Sequence, residues 1–409
     1  MTNREVVVLS AVRTAIGKFG GSLKEVPASE LAAKVVCQSV QRSGVDPKEI
    51  GHVVFGNVIH TDQKDIYLAR VAALRGGIPV QASALCVNRL CGSGLQAILT
   101  AAEAVAHGDT DVAVGGGAES MSRAPYWLQS MRWGARLNDA TATDVLVATL
   151  TDPFDNVHMG VTAENVARQW GISRNDQDEL AVESHRRANE AIKTGKFAGQ
   201  IVPIELKSKN GPVWFSVDEQ PRSDATLENL AKLRPAFDPD GTVTAGNASS
   251  INDGAAAVVL MERKAAEARG LQPLAVLVDY TVVGVEPAVM GIGPISAVRK
   301  LFERTGLTTE QMDVIELNEA FAAQLLAVRR ELDFPPERTN PNGSGISLGH
   351  PLGATGAIVT VKALHELRRV NGRYALVTMC IGGGQGIAAI FESVAEPIKE
   401  SSHGHRSSH

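Results

Sequence analysis

The chain has 409 residues, with 40 Lys and Arg against 45 Asp and Glu, and its formal charge of −5 argues against nonspecific nucleic-acid binding. Hydrophobic residues make up 44% and charged residues 21%, which excludes a disordered chain, and the length points to two or three structural units around a large core. No apolar run approaches the roughly 18 residues that span a membrane, and four cysteines in so long a chain make no disulfide framework, so a cytoplasmic protein with free thiols is expected.

The first apolar run, residues 6–9, reads as a β-strand rather than a leader, because Arg4, Glu5 and Arg13 flank it closely. A helix over 30–42 closed by Gly44 follows, then a strand over 52–55, a helix over 94–107 closed by Gly108, and a strand over 112–114 running into a glycine turn at Gly115, Gly116 and Gly117. The last part of the chain repeats this order. Strands over 274–278, 314–317 and 374–379 alternate with helices over 295–303 and 355–368, and the final strand runs into Gly382, Gly383 and Gly384. Two structural copies are therefore expected, matched in pattern rather than in identity.

Helices 94–107 and 355–363 are apolar nearly all round, and a helix without a polar face is buried on every side. Two such helices between two sheets, with further helices outside, predict an α/β fold in duplicated halves layered α, β, α, β, α. The expected organisation is an N-terminal half over 1–120 completed by about 248–270, an inserted loop subdomain over 121–247, a C-terminal half over 271–395, and a polar tail over 396–409. Charge density rises in the inserted part, whose clearest helix is 173–194, and an insertion on a rigid scaffold is a common place for ligand contacts.

Three residues carry chemistry. Cys91 opens the first buried helix, where unpaired amides and the helix dipole are expected to lower a thiol pKa; a packed cysteine in a tight turn is the plain alternative. His350 holds the corresponding place in the second copy, so facing helix starts would bring imidazole and thiol together, although a lone loop histidine is more often structural. Cys380 ends the last strand beside glycines whose amides are free to bind an anionic oxygen. The same glycines could suggest a dinucleotide loop, but no complete G-x-G-x-x-G opens a helix with a ribose-binding acid after it, and no nicotinamide site is expected.

Over essentially its whole length the chain resembles a thiolase of the biosynthetic acetyl-CoA acetyltransferase, or 3-ketothiolase, type. The resemblance rests on seven motifs in family order: NRLCGSGLQA at 88–97, GGGAESMS at 115–122, HMGVTAENVA at 158–167, TAGNAS at 244–249, NEAFA at 318–322, GHPLGATGA at 349–357 and CIGGGQG at 380–386. It implies that Cys91 is the acylated nucleophile, that His350 activates it, and that Cys380 is the acid/base at the substrate α-carbon. Asn318 would hold a water that forms one oxyanion hole with His350 Nε2, and the amides of Cys91 and Gly382 would form the other. Leu150, His158, Met159 and Met290 would line the acyl pocket; Phe237, Ala245 and Ser249 would contact pantetheine; Ala320 and Phe321 would bind substrate or coenzyme A; Arg222 would meet the nucleotide end of coenzyme A. No metal or cofactor is implied, since coenzyme A thioesters are the substrates.

The resemblance further implies reversible Claisen condensation of two acyl-CoA molecules by a ping-pong route through an acyl-cysteine. It also implies a homotetramer, and the arm at 120–138, with Tyr126, Trp127, Met131 and Trp133 among arginines, fits an interface; a local lid is the alternative. One departure lies beside His350: residues 342–348 read NGSGISL where many relatives have NGGAIAL. β-Ketoacyl synthases share the fold but pair the nucleophile with two histidines or with histidine and asparagine, and Cys380 argues against them. A non-catalytic acyl-CoA binder would have lost Cys91, His350 or Cys380.

Overall fold

The computed structural model describes residues 4–394 apart from residue 210; the polar tail expected over 396–409 lies outside the described residues. Nine strands carry the architecture: β1 (Val6–Thr14), β2 (Ile50–Gly56), β3 (Ser83–Val87), β4 (Val112–Ser120), β5 (Asn252–Glu262), β6 (Ala275–Gly284), β7 (Val314–Leu317), β8 (Tyr374–Ile381) and β9 (Gln385–Ser393). The helices that matter to the site are α1 (Ala28–Ser43), α2 (Leu68–Arg75), α3 (Ser93–His107), α4 (Met159–Trp170), α5 (Arg174–Lys193), α6 (Gly293–Thr305), α7 (Ala322–Glu331) and α8 (Leu352–Arg369).

The duplication is visible in the hydrogen bonding. In the first half β2 pairs β4 in parallel, β4 pairs β5 antiparallel and β5 pairs β1 antiparallel. In the second half β7 pairs β8 in parallel, β8 pairs β9 antiparallel and β9 pairs β6 antiparallel. Helix α3 feeds β4 as α8 feeds β8. The two sheets are not separate, however: Val7 lies opposite Val276 and Val8 opposite Ala275, so β1 and β6 join them edge to edge.

Helix α1 with α2 covers the outer face of the first sheet, α6 covers the outer face of the second, and α3 and α8 pack against each other between the halves. Strands β1, β4 and β5 are buried along their whole length because helices lie on both faces. α8 is buried from Leu352 through Leu364, as its apolar circumference requires. Its one charged group in that stretch, Lys362, reaches Glu316 at 2.7 Å, and both are buried.

One local reading is corrected. Gly115, Gly116 and Gly117 are not a turn after a short strand but the middle of β4. Gly115 and Gly117 are glycines because helices press directly on the strand backbone: a Cβ on Gly115 would lie 2.6 Å from the Ile98 Cα of α3, and one on Gly117 only 2.1 Å from the Gly353 carbonyl of α8. The corresponding glycines of the second half, Gly383 and Gly384, do turn the chain, with φ of 78° and 84°, between β8 and β9.

Between the halves the chain builds α4, α5, a hairpin pairing Ile204–Leu206 with Val213–Phe215, and a two-stranded arm pairing Tyr126–Trp127 with Thr143–Asp144. α7 packs on α4 and α5. This layer is tied to the body by the buried Arg13 guanidinium, which donates to both Asp218 oxygens at 2.7 and 2.9 Å. Among the described residues no helix is long and apolar enough to cross a membrane.

Candidate active site

Cys91 lies two residues before the first residue of α3, His350 two before that of α8, and Cys380 on the next-to-last position of β8. These three ends meet at one cavity of about 730 Å³, lined by all three residues and by Gly382. Leu150, His158, Met159, Arg222, Phe237, Ala245, Ser249, Met290, Ala320 and Phe321 line it too. Asn318 stands one layer back, fully buried, with its Nδ2 3.4 Å from His350 Nε2.

The backbone amides of Gly382 and of Cys91 itself lie close enough to the Cys91 sulfur to favour its thiolate form. Two amides therefore converge on the place where negative charge would develop. Helix-start geometry was expected to lower this thiol, and the structure reverses that: burial is the dominant effect and pushes it up to about 11, with the two amides opposing and the nearby Glu119 adding to the rise. Cys380 is pushed up further, by burial first and by the Cys91 sulfur second. Both thiols are protonated at neutral pH, so each needs an acceptor for its proton.

His350 is that kind of group. Burial holds it down to about 4, so it is a neutral imidazole at neutral pH. Its backbone N–H donates to Asn252 Oδ1 at 3.0 Å, and its Nδ1 lies 2.7 Å from Thr355 Oγ1. Asn252 also donates from Nδ2 to the Gly17 carbonyl at 3.0 Å, so a residue at the start of β5 fixes the His350 backbone against the segment that follows β1. Glu119 does the same for α8: its carboxylate accepts from Asn57 Nδ2 and from the amides of Val58, Ile59 and Gly353 at 2.8 to 3.1 Å. Its carboxyl is nonetheless pushed up to about 8 by burial.

An aromatic wall forms the channel. His158 caps α4 by accepting the Gly160 N–H at Nδ1, and its ring stacks on Phe237 at 4.6 Å between centroids; Phe237 meets Phe321 edge-on at 6.4 Å. At the mouth, Arg222 is exposed, while its backbone is held by His185 Nδ1, which accepts the Arg222 N–H at 3.1 Å, and by Asn189, which donates to its carbonyl. Lys18, Phe19, Leu90, Ile251 and Leu352 also line the cavity and were not anticipated. Ile251 and Leu352 could have been found from their neighbours Ser249 and His350; Leu90, Lys18 and Phe19 come together only through the fold. Leu90, whose φ is 44°, places the strained turn directly before Cys91.

The departure beside His350 is accommodated. A Cβ at Gly345 would lie 2.6 Å from the Glu319 carbonyl and 2.8 Å from Asn318 Oδ1, so glycine suits this close loop. Ser347 Oγ meets Ser184 Oγ at 2.8 Å, and Ser184 donates to Glu319 at 2.6 Å, linking the loop to α5.

Residues 6–264 match the thiolase N-terminal domain model and residues 271–393 the thiolase C-terminal domain model. The chain is 62% identical to the beta-ketothiolase BktB of Cupriavidus necator over 96% of its length and 100% of that protein, and 47% identical to an acetyl-CoA acetyltransferase of Chromobacterium violaceum over 95% and 99%. The crystal structure of the Bacillus anthracis acetyl-CoA acetyltransferase superposes with a TM-score of 0.94 at 47% identity, covering 96% of this chain and 99% of that one. Human mitochondrial 3-ketoacyl-CoA thiolase in complex with CoA superposes with a TM-score of 0.93 at 44% identity, over 96% and 98%. With both domain models matched along nearly its whole length, around a cavity where two thiols and an imidazole meet, the chain belongs to the thiolase family.

Proposed function

We propose that the protein is an acetyl-CoA C-acetyltransferase that joins two acyl-CoA molecules into a 3-ketoacyl-CoA and free CoA, and cleaves 3-ketoacyl-CoA by thiolysis in the reverse direction. One observation carries the reading: Cys91, His350 and Cys380, far apart in sequence, line one cavity together with Gly382. The two high thiol pKa values and the neutral imidazole then divide the labour.

In the first half-reaction His350 Nε2 takes the Cys91 proton as the sulfur attacks the thioester carbonyl. The C–S bond to CoA breaks, and the departing CoA sulfur takes the proton of Cys380. The acyl-enzyme is left with a Cys380 thiolate and a His350 imidazolium, so protons balance. In the second half-reaction the Cys380 thiolate removes the α-proton of a second acyl-CoA, while His350 Nε2–H and a water held by Asn318 stabilise the enolate oxygen. The carbanion attacks the Cys91 acyl carbon, whose oxygen rests on the Gly382 and Cys91 amides. The Cys91–acyl bond breaks, and the Cys91 sulfur recovers the proton held by His350. The thioesters and side chains supply all the groups needed, so the reaction calls for no metal or cofactor.

Met159, Met290 and Leu150 bound the acyl end, Phe237, Ala245, Ser249, Ala320 and Phe321 take pantetheine, and Arg222 meets the nucleotide phosphates. The reading includes a cytoplasmic site of action, where Cys91 and Cys380 stay reduced, and a homotetramer. Exposed Trp133 (88%) and Leu137 (84%) on the arm support an interface there.

Acetyl-CoA alone should acetylate Cys91, read by intact mass, and Cys91→Ala should neither take up the adduct nor turn over. Cys380→Ser should still acylate but condense at least about 100-fold more slowly, because a hydroxyl is a far weaker acid and its alkoxide is not formed at neutral pH. An acetyl adduct on the Ala variant, or full condensation by the Ser variant, would overturn the assignment.

A further inference from the structure

We infer that Thr355 is a positioning residue that selects the tautomer of His350, turning the bare Nε2 toward the reacting thiol; this rests on the reading of His350 as the base. A threonine hydroxyl has one proton to give. In the first turn of α8 the Thr355 hydroxyl lies 2.8 Å from the Pro351 carbonyl, an acceptor that can offer nothing in return. The Thr355 proton is committed to that carbonyl. Its other contact, His350 Nδ1 at 2.7 Å, is then one in which Thr355 accepts and the ring donates. The neutral imidazole carries its proton on Nδ1, and its lone pair sits on Nε2.

The far side of the ring agrees. Asn318 presents its Nδ2, a donor, to Nε2 at 3.4 Å, which matches a lone pair there. Thr355 is buried and off the cavity, so its hydroxyl cannot exchange His350 Nδ1 for bulk water. The relation is also rigid. His350, Pro351 and Thr355 lie within six residues at the start of α8, and Glu119 pins that start by accepting the Gly353 N–H at 2.8 Å. Thr355 does not line the cavity, so it acts on the reaction only through His350.

A neutral hydroxyl has a different consequence from a carboxylate in the same place. It orients the ring and accepts from Nδ1–H in both protonation states, but it adds no charge to hold an imidazolium. The proton that Nε2 takes from Cys91 is therefore easily passed on, which a base that must later return a proton to the Cys91 sulfur requires. Removing the hydroxyl leaves Nδ1–H without an acceptor and favours the tautomer with its proton on Nε2, which cannot take the thiol proton.

The test compares Thr355→Val, which keeps shape and loses the acceptor, with Thr355→Ser, which restores it, and with His350→Ala. The first readout is the rate at which iodoacetamide alkylates Cys91 in the resting enzyme, followed on the Cys91 peptide by mass spectrometry. The second is the kcat and KM of thiolysis. Thr355→Val should slow both alkylation and kcat about 10- to 100-fold, the range for losing a residue that orients an imidazole, with KM unchanged and thermal unfolding of the folded protein intact. Thr355→Ser should recover both to within about 3-fold, since the hydroxyl rather than the methyl group does the work. If Thr355→Val matches the wild type while His350→Ala is inert, or if Val and Ser variants lose equally, the assignment to Thr355 is wrong. If His350→Ala alkylates at the wild-type rate, the reading of His350 as the base fails instead.

Discussion

Replacing Gly117 by alanine tests whether close packing of α8 on β4 positions the His350 imidazole. The added Cβ would lie 2.1 Å from the Gly353 carbonyl oxygen and 3.0 Å from the Ala354 Cα, and both are backbone, so no side chain can swing aside. An ordinary carbon–oxygen contact is about 1 Å longer, so the start of α8 must retreat by about that amount. It cannot do so freely, because the Gly353 N–H is bonded to Glu119 two residues further along β4. Overpacking of this kind costs about 1–3 kcal/mol of stability, and a displacement of about 1 Å at a reacting group costs about 100-fold in rate. Urea unfolding and steady-state thiolysis measure the two effects. Gly254→Ala is the control, since Gly254 lies opposite Glu119 on the paired strand β5 and its nearest neighbours would be 3.5 Å from a new Cβ, an ordinary contact. A Gly117→Ala enzyme with wild-type stability and kcat, or a Gly254→Ala enzyme more damaged than it, would refute the packing argument.

Two further outcomes follow from buried charge. Lys362→Met should destabilise the protein by about 1–3 kcal/mol in urea titrations, because burial already pushes the Glu316 carboxyl up to about 7 and, stripped of its partner, it is left protonated and without a hydrogen bond to the ammonium; the double variant with Glu316→Leu should recover most of the loss, and no recovery would contradict the ion-pair reading. His350, held down from 6.5 to about 4 by burial, binds fewer protons folded than unfolded. Its contribution to stability is complete above pH 6.5 and is lost as pH falls toward 4, by roughly 3 kcal/mol in all. His350→Asn should flatten that part of the stability–pH curve, and an unchanged slope would show that the histidine is not buried neutral.

The motifs around Cys91, His350 and Cys380 are legible in sequence because each is a local device: a glycine-flanked helix start or a strand end that exposes backbone amides. The all-apolar circumference of α3 and α8 likewise announces burial by itself, since a helix with no polar face has nowhere else to go. The parallel pairing of β2 with β4 and of β7 with β8 also follows from the repeated alternation of strands and helices.

Other features were settled by tertiary contacts. Gly115 to Gly117 read as a turn because glycine most often marks one; they sit inside a strand because two helices lie against it, a fact no local pattern encodes. The Cys91 thiol read as acidified by its helix start, yet desolvation outweighs the pull of the nearby amides, and desolvation depends on everything packed around the sulfur. Asn252 and Glu119, which hold the His350 backbone and the first turn of α8, are polar residues at strand ends with no signature of their own; only the meeting of the two halves gives them a role. The amino-acid order thus determined which groups are available for the chemistry, and the packing of the halves determined their protonation and aim, because electrostatics in a buried site is a property of the surroundings rather than of the residue.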